Sequence, residues 1–380
     1  MLPCLYLAIF IFFLSSYMFT PFFSLYVTAL GGSYAEFAAV LSLAGFLVSI
    51  IQSYIGYLSD KVGARFLMIG GGILSTLGYL LIGITYHRFL IIPLYLLINI
   101  GMGILVPSAF TLISYQKTAK GDSFIPIYRS IQGAGVIIGP VAGGWLMGQS
   151  YRINALLGGI LMMVSIVLFS VYFLNRSVSV DEPNRGARSA INFKETMVEI
   201  IHNRSFLVIL ILFTFVELSY DLIYMSLPLV GTELNFSTDV TGTALSAYFL
   251  MFTLFQIPIN RALKKIKKRT ALMSMGLLAL VPCVLLLLNI PAFFTILCMG
   301  GIGLTIGSLF TFCTMMASEE SPENKKGTFL GIFNTIMPLT DVISPVIVAF
   351  FISLHVKLPY AAAAILVLLF IMISSQKVEG

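Results

Sequence analysis

Long apolar runs, broken by short polar stretches, follow one another along the whole chain, each near the ~20 residues that a bilayer-spanning helix needs. Twelve runs stand out, over 5–29, 36–57, 66–86, 89–114, 126–148, 153–174, 206–230, 238–259, 270–289, 291–315, 328–352 and 358–375. Lipid cannot satisfy free backbone amides and carbonyls, so runs of this length are predicted to be α-helices. The first run has almost no charged residues before it and no small-residue cleavage site, so it is expected to be a retained span. The links are short except that between the sixth and seventh runs, where Ser177 to Arg188 reads as a linker. Asn192 and Glu195 then form a capping box ahead of Phe193, Met197, Ile200 and Ile201, an apolar stripe that predicts a short helix on the membrane surface.

Composition agrees with this pattern: 58% of residues are hydrophobic and 10% charged. A water-soluble domain carries roughly 25% charged residues, so this chain is too apolar to cover itself in water. Charge then sets the orientation. All but three of the 22 Lys and Arg fall at one set of links and ends, among them Lys61, Arg65, Lys117, Lys120, Arg129 and the cluster Arg261–Arg269. Only Arg88, Arg152 and Lys357 fall on the other side, so both termini are expected in the cytoplasm of a cell-membrane protein. The net charge of +6 is thereby a topological signal, and no nucleic-acid partner is expected. The four cysteines, Cys4, Cys283, Cys298 and Cys313, have no metal or disulfide spacing.

The chain also repeats itself. Gly101-x-Gly103-x4-Ser108-x-Phe110-Thr111 in the fourth run returns as Gly301-x-Gly303-x4-Ser308-x-Phe310-Thr311 in the tenth. Asp60-Lys61 after the second run is matched at the same offset by Asn260-Arg261 after the eighth. Two parallel six-helix repeats follow: a half over 1–175, a linker with a surface helix over 176–205, and a half over 206–380.

Two local motifs sharpen the picture. Gly56-x3-Asp60-Lys61-x-Gly63-x-Arg65 joins an acid at the membrane edge to a glycine turn and basic residues. Gly135-x3-Gly139-Pro140-x2-Gly143-Gly144 gives the fifth helix a smooth face and a bend, which suits close sliding contact between helices. The first resembles the loop motif of the major facilitator superfamily; the second is similar to the antiporter motif of its drug:proton exporters. The resemblance implies the twelve-helix fold of that superfamily, with Asp60 holding the two halves together in the outward-facing state. Lys61 stands where the strongest form of the loop motif has arginine. Leu97 occupies the fourth-span position where such exporters carry arginine, so no role for that arginine carries over; Asn99 is the nearest polar group.

An ionised group at the centre of a span costs roughly 2.5–3.5 kcal/mol on insertion scales. Glu217 and Asp221 in the seventh run and Asp341 in the eleventh are the acids that lie well inside spans. Glu217 falls roughly 16 Å into its helix, near the midplane, and Asp221 is one turn on along the same face. Burial and mutual repulsion both favour a neutral acid, which is what a proton-coupled carrier requires. By resemblance, the first, fourth, seventh and tenth spans line a central cavity, offering Tyr17, Thr20, Asn99, Tyr220, Tyr224, Thr305 and Ser308. Acids beside tyrosines and a supply of Phe and Met suit a cationic or amphiphilic solute.

Three function classes compete. The leading expectation is a proton-coupled exporter of amphiphilic small molecules, a monomer with no cofactor and no metal. A sugar, organic-anion or other metabolite carrier is the alternative, and an anion carrier calls for deep basic residues that the spans lack. A membrane sensor or intramembrane enzyme is the third. His87, His202 and His355 all lie in links or at span edges, so no catalytic constellation is available to an enzyme.

Overall fold

The computed structural model describes residues 2–114, 124–174, 193–322 and 325–377, and these are helical almost throughout. Among the described residues, twelve helical segments are long and apolar enough to cross a membrane. The first span runs Leu2–Phe19, Thr20–Phe22 and Phe23–Ala29; the second to sixth are Tyr34–Val62, Ala64–Ile84, Arg88–Ser114, Ile125–Gln149 and Tyr151–Leu174. A short helix, Phe193–His202, precedes the seventh span, Arg204–Glu233. Within it Ile200 is buried and Ile201 exposed, while the capping residue Asn192 and the side chains of Phe193 and Met197 fall outside the described residues. The eighth to tenth spans are Thr238–Leu263, Lys268–Leu285 and Ala292–Glu320; the eleventh is Lys326–Asn334 with Ile336–Leu354; the twelfth is Leu358–Lys377.

Among the described residues two spans are interrupted, each near a proline. Pro21 cannot donate to the carbonyl four residues back, and a 3-10 turn over Thr20–Phe22 takes up the defect. The buried amide of Asn154, from the sixth span, donates to the Met18 carbonyl there at 3.1 Å. In the eleventh span Pro338 withholds its amide and the helix breaks at Thr335, whose hydroxyl donates to the Ile332 carbonyl at 2.7 Å. Apolar periodicity runs through both breaks, which is why the sequence reads each span as continuous.

The chain divides into two compact units: Met1–Val180 with Leu227–Ser246, and Asp181–Ser226 with Ala247–Gly380. The first unit is knit by small residues and serines. Ser15 and Ser165 tie the first and sixth spans through the Gly158 and Ala8 carbonyls at 2.7 and 2.8 Å, and Ser75 reaches the Ile98 carbonyl at 3.0 Å. Such bonds contribute about 0.6 kcal/mol each inside a bilayer. Phe19, Tyr26 and Tyr79 fill the space between them, with Tyr26 donating to the Ile82 carbonyl at 2.7 Å. In the second unit Phe213 packs between Phe310 and Phe333, with ring centres 5.2 and 4.1 Å away.

The three basic residues that break the charge pattern all donate to backbone carbonyls. Arg152 reaches Gly83 and Ile84 at 3.0 and 3.2 Å, capping the end of the third span. Lys357 reaches Leu287 and Leu288 at 3.2 and 2.7 Å and the Asn289 side chain at 2.6 Å, just past the ninth span. Arg88 reaches Gly31 at 2.9 Å. The sequence offset from Arg152 to Lys357 is that from Gly83 to Leu288, so the repeat places a cation on the same helix end twice. A cation is stabilised there by the unpaired carbonyls of a helix C-terminus.

Candidate functional site

The site candidates fall into two groups, one in each unit. In the first unit the fifth span presents its glycines on two faces. Gly135, Gly139 and Gly143 meet the first span. A methyl group at Gly135 would lie 2.8 Å from the Phe13 Cβ and one at Gly139 would lie 2.7 Å from the Tyr17 Cβ, while one at Gly143 would overlap the Met18 carbonyl. Gly144 is turned by one residue, about 100° around the helix, onto the start of the eighth span. There it contacts the Thr238 carbonyl, and the Thr238 hydroxyl donates to the Gly144 carbonyl at 2.7 Å. Gly242 lies against the Pro140 carbonyl in turn. The sequence reads one smooth face; the folded helix has two, sharing a single proline bend.

In the second unit the acids come together. Glu217 and Asp221 are 5% and 3% exposed, one turn apart on the seventh span, and Asp341 of the eleventh acts electrostatically on both. Asp341 itself is exposed. One oxygen of Glu217 and one of Asp221 have no hydrogen-bond partner. The hydroxyls of Thr340 and Ser344, flanking Asp341, face Asp221. Thr340 donates to the Met337 carbonyl at 2.9 Å, and Ser344 to the Met225 sulfur at 3.6 Å. Sulfur is a weak acceptor, so Ser344 is readily turned toward a charged carboxylate. A buried carboxylate oxygen without a partner is costly while ionised, and taking up a proton or a cation removes that cost.

An aromatic stack starts on the seventh span, at Tyr220 and Tyr224, three residues after Glu217 and Asp221. Tyr220 lies over Tyr224 and Tyr248, with ring centres 5.2 and 5.1 Å apart, and Tyr248 continues to Phe252 at 6.3 Å. Of these, Tyr248 was not among the residues the sequence singles out, nor were Thr340 or Ser344 beside Asp341. Thr340 and Ser344 are legible in retrospect as a polar stripe around Asp341. Tyr248 carries no such signal.

The remaining candidates are held locally. Thr305 and Ser308 are buried, and their hydroxyls donate to the Gly301 and Leu304 carbonyls of their own helix at 2.7 and 2.5 Å. Asn99 is half-buried and donates to the Tyr95 carbonyl at 2.8 Å, which leaves its amide oxygen turned elsewhere. Tyr17 backs onto Gly139; Thr20 is exposed at the break of the first span and interacts with Tyr79.

A family model described as Major Facilitator Superfamily matches residues 5–220 and again 209–375, the two repeats in succession. The chain belongs to the major facilitator superfamily. Its relatives include Multidrug resistance protein 2 of Bacillus subtilis, 22% identical over 84% of this chain and 81% of the relative. Quinolone resistance protein NorA of Staphylococcus aureus is 22% identical over 93% of this chain and 90% of its own length. The nucleoside transporter NupG shares the fold, with a TM-score of 0.80 and 12% identity over 97% of this chain and 98% of that one. A POT family transporter does so at a TM-score of 0.72 and 15% identity, over 98% and 94%. The chain is thus a multi-pass membrane transporter of this superfamily.

The superfamily loop motif can be followed in part. Gly63 separates the second and third spans with φ 96° and ψ 128°, a backbone shape that favours glycine. Gly56, Asp60 and Lys61 lie on the last turns of the second span, with their surroundings outside the described residues. Arg65 is half-buried on the first turn of the third.

Proposed function

We propose that this transporter is a proton-coupled exporter of amphiphilic or cationic small molecules, working by alternating access in the cell membrane with both termini cytoplasmic. The observation that carries the reading is the group of three carboxylates, Glu217, Asp221 and Asp341, on spans that also hold the stacked Tyr220 and Tyr224. A proton and a cationic solute compete for the same carboxylates, so loading one expels the other, and stacked rings hold a flat or positively charged body. In this reading Asp341, the less enclosed of the three by surface area, exchanges protons with its surroundings and the buried pair retains them. The names of the multidrug and quinolone resistance relatives support the same substrate class. The fifth-span glycines supply contact surfaces over which helices slide without side-chain obstruction.

The test is flux driven by a pH gradient into vesicles reconstituted with the whole protein. Glu217→Gln keeps size and hydrogen bonding but cannot titrate. It should still bind a lipophilic cation and exchange solute for solute, and should lose gradient-driven accumulation. Asp341→Asn, measured alongside, should weaken the response to the gradient less. Wild-type pH dependence in the Glu217→Gln protein would refute the assignment of Glu217.

A further inference from the structure

The turn between the eighth and ninth spans carries the densest charge on the chain. Arg261, Lys264, Lys265, Lys267, Lys268 and Arg269 fall between positions 261 and 269 with no acid among them. The turn is ordered: Lys264, Lys265 and Ile266 donate to the Asn260, Ala262 and Leu263 carbonyls at 3.1, 3.0 and 3.2 Å. Leu263 is buried beneath it, whereas Ile266 is 46% exposed in the middle of the lysines.

Protein acids neutralise one of these cations. Lys268 pairs with Glu319 and Glu320, at the end of the tenth span, at 2.9 and 3.7 Å. Arg261, Lys264, Lys265, Lys267 and Arg269 are exposed and have no ion pair among the described residues. Topology alone does not call for so many: the repeat-related turn, from Asp60 to Arg65, carries two basic residues and an acid. Five like charges on one turn repel one another, and a counter-charge has to come from outside the chain. The turn joins two membrane spans, so the nearest surface is the headgroup layer. An exposed apolar residue ringed by lysines suits that layer, with the side chain among acyl carbons and the ammonium groups at phosphate depth.

We propose that this turn binds the phosphate headgroups of anionic phospholipids, with Ile266 seated below them. The inference holds for either orientation of the chain and does not depend on what is transported. Native mass spectrometry of the full-length protein, titrated with phosphatidylglycerol or phosphatidylcholine, tests it. The triple variant Lys264→Gln/Lys265→Gln/Lys267→Gln should bind phosphatidylglycerol about fivefold more weakly per charge lost, on the order of a hundredfold in all. Binding of phosphatidylcholine should not change, and replacing the same three lysines by arginine should preserve the preference. All three side chains are exposed, so folding is not at stake. A tryptophan replacing Ile266, in a background with Trp145→Phe, should be quenched by lipid brominated on its acyl chains, more strongly when the bilayer is anionic. An undiminished preference for phosphatidylglycerol in the glutamine variant would overturn the proposal. So would displacement of the lipid by millimolar inorganic phosphate, which would mark an ordinary anion site, or quenching indifferent to headgroup charge.

Discussion

The fourth and tenth spans carry the same glycine motif and use it in opposite ways. In the fourth span the tight position is Gly101, pressed on Ser75 and on the Gly71 carbonyl of the third span, while Gly103 has only Val48 and Ile51 of the second span at 3.6 Å. In the tenth span the tight position is Gly303, pressed on the Tyr248 carbonyl of the eighth span, while Gly301 has Pro282 of the ninth at 3.6 Å. The partner decides. Gly71 and Ser75 let the third span close on the fourth, whereas the Pro282 ring keeps the ninth off the tenth. A repeat can thus preserve residues and exchange seams. The exchange also fixes Tyr248, because the backbone that Gly303 grips carries the ring stacked on Tyr220.

Substitutions can break this contrast at graded strengths. The largest effect is expected at the two-faced fifth span. Gly144→Leu drives a side chain into the Thr238 backbone and should abolish exchange by purified protein in vesicles while membrane insertion stays normal. Full transport at normal expression would reduce that seam to packing. Next come Gly303→Ala and Gly101→Ala, where the new methyl meets backbone that cannot rotate away. Each should destabilise by about 1–3 kcal/mol, read as a lowered melting temperature in detergent. Gly303→Ala should also weaken solute binding, because Tyr248 is displaced. The smallest effects belong to Gly103→Ala and Gly301→Ala, where nothing lies closer than 3.6 Å. These should be neutral, or stabilising by up to about 1 kcal/mol through helix propensity. Equal damage from Gly301→Ala and Gly303→Ala would erase the difference between the spans.

The spans, the repeat and the buried acids were legible because each follows from a local rule: run length, offset, and the cost of a charge in lipid. Glu217 and Asp221 announce themselves by depth, and Asp341 by being an acid inside a span. Which glycine is tight was not legible, since that depends on what the neighbouring helix offers, and Gly101 and Gly301 are identical as letters. The break at Thr335 escaped because Pro338 lies within an unbroken apolar run and a membrane helix often tolerates a proline. Arg152 and Lys357 counted only as exceptions to the charge pattern. Their shared offset was the available clue that they are helix caps, and three-dimensional contact was needed to give it meaning.

The interruption at Thr335 has a consequence for how the eleventh span unfolds. A helix with every amide engaged melts as one piece; one with a missing amide has a place where cooperativity ends. Lys326–Asn334 and Ile336–Leu354 can therefore exchange their amide hydrogens as separate units, the shorter segment first. Asp341 rides on the longer segment with Thr340 and Ser344, the two hydroxyls that face Asp221. Asp221 therefore faces a half-helix that ends at a break in the amide ladder and carries a second proline, Pro345, within it.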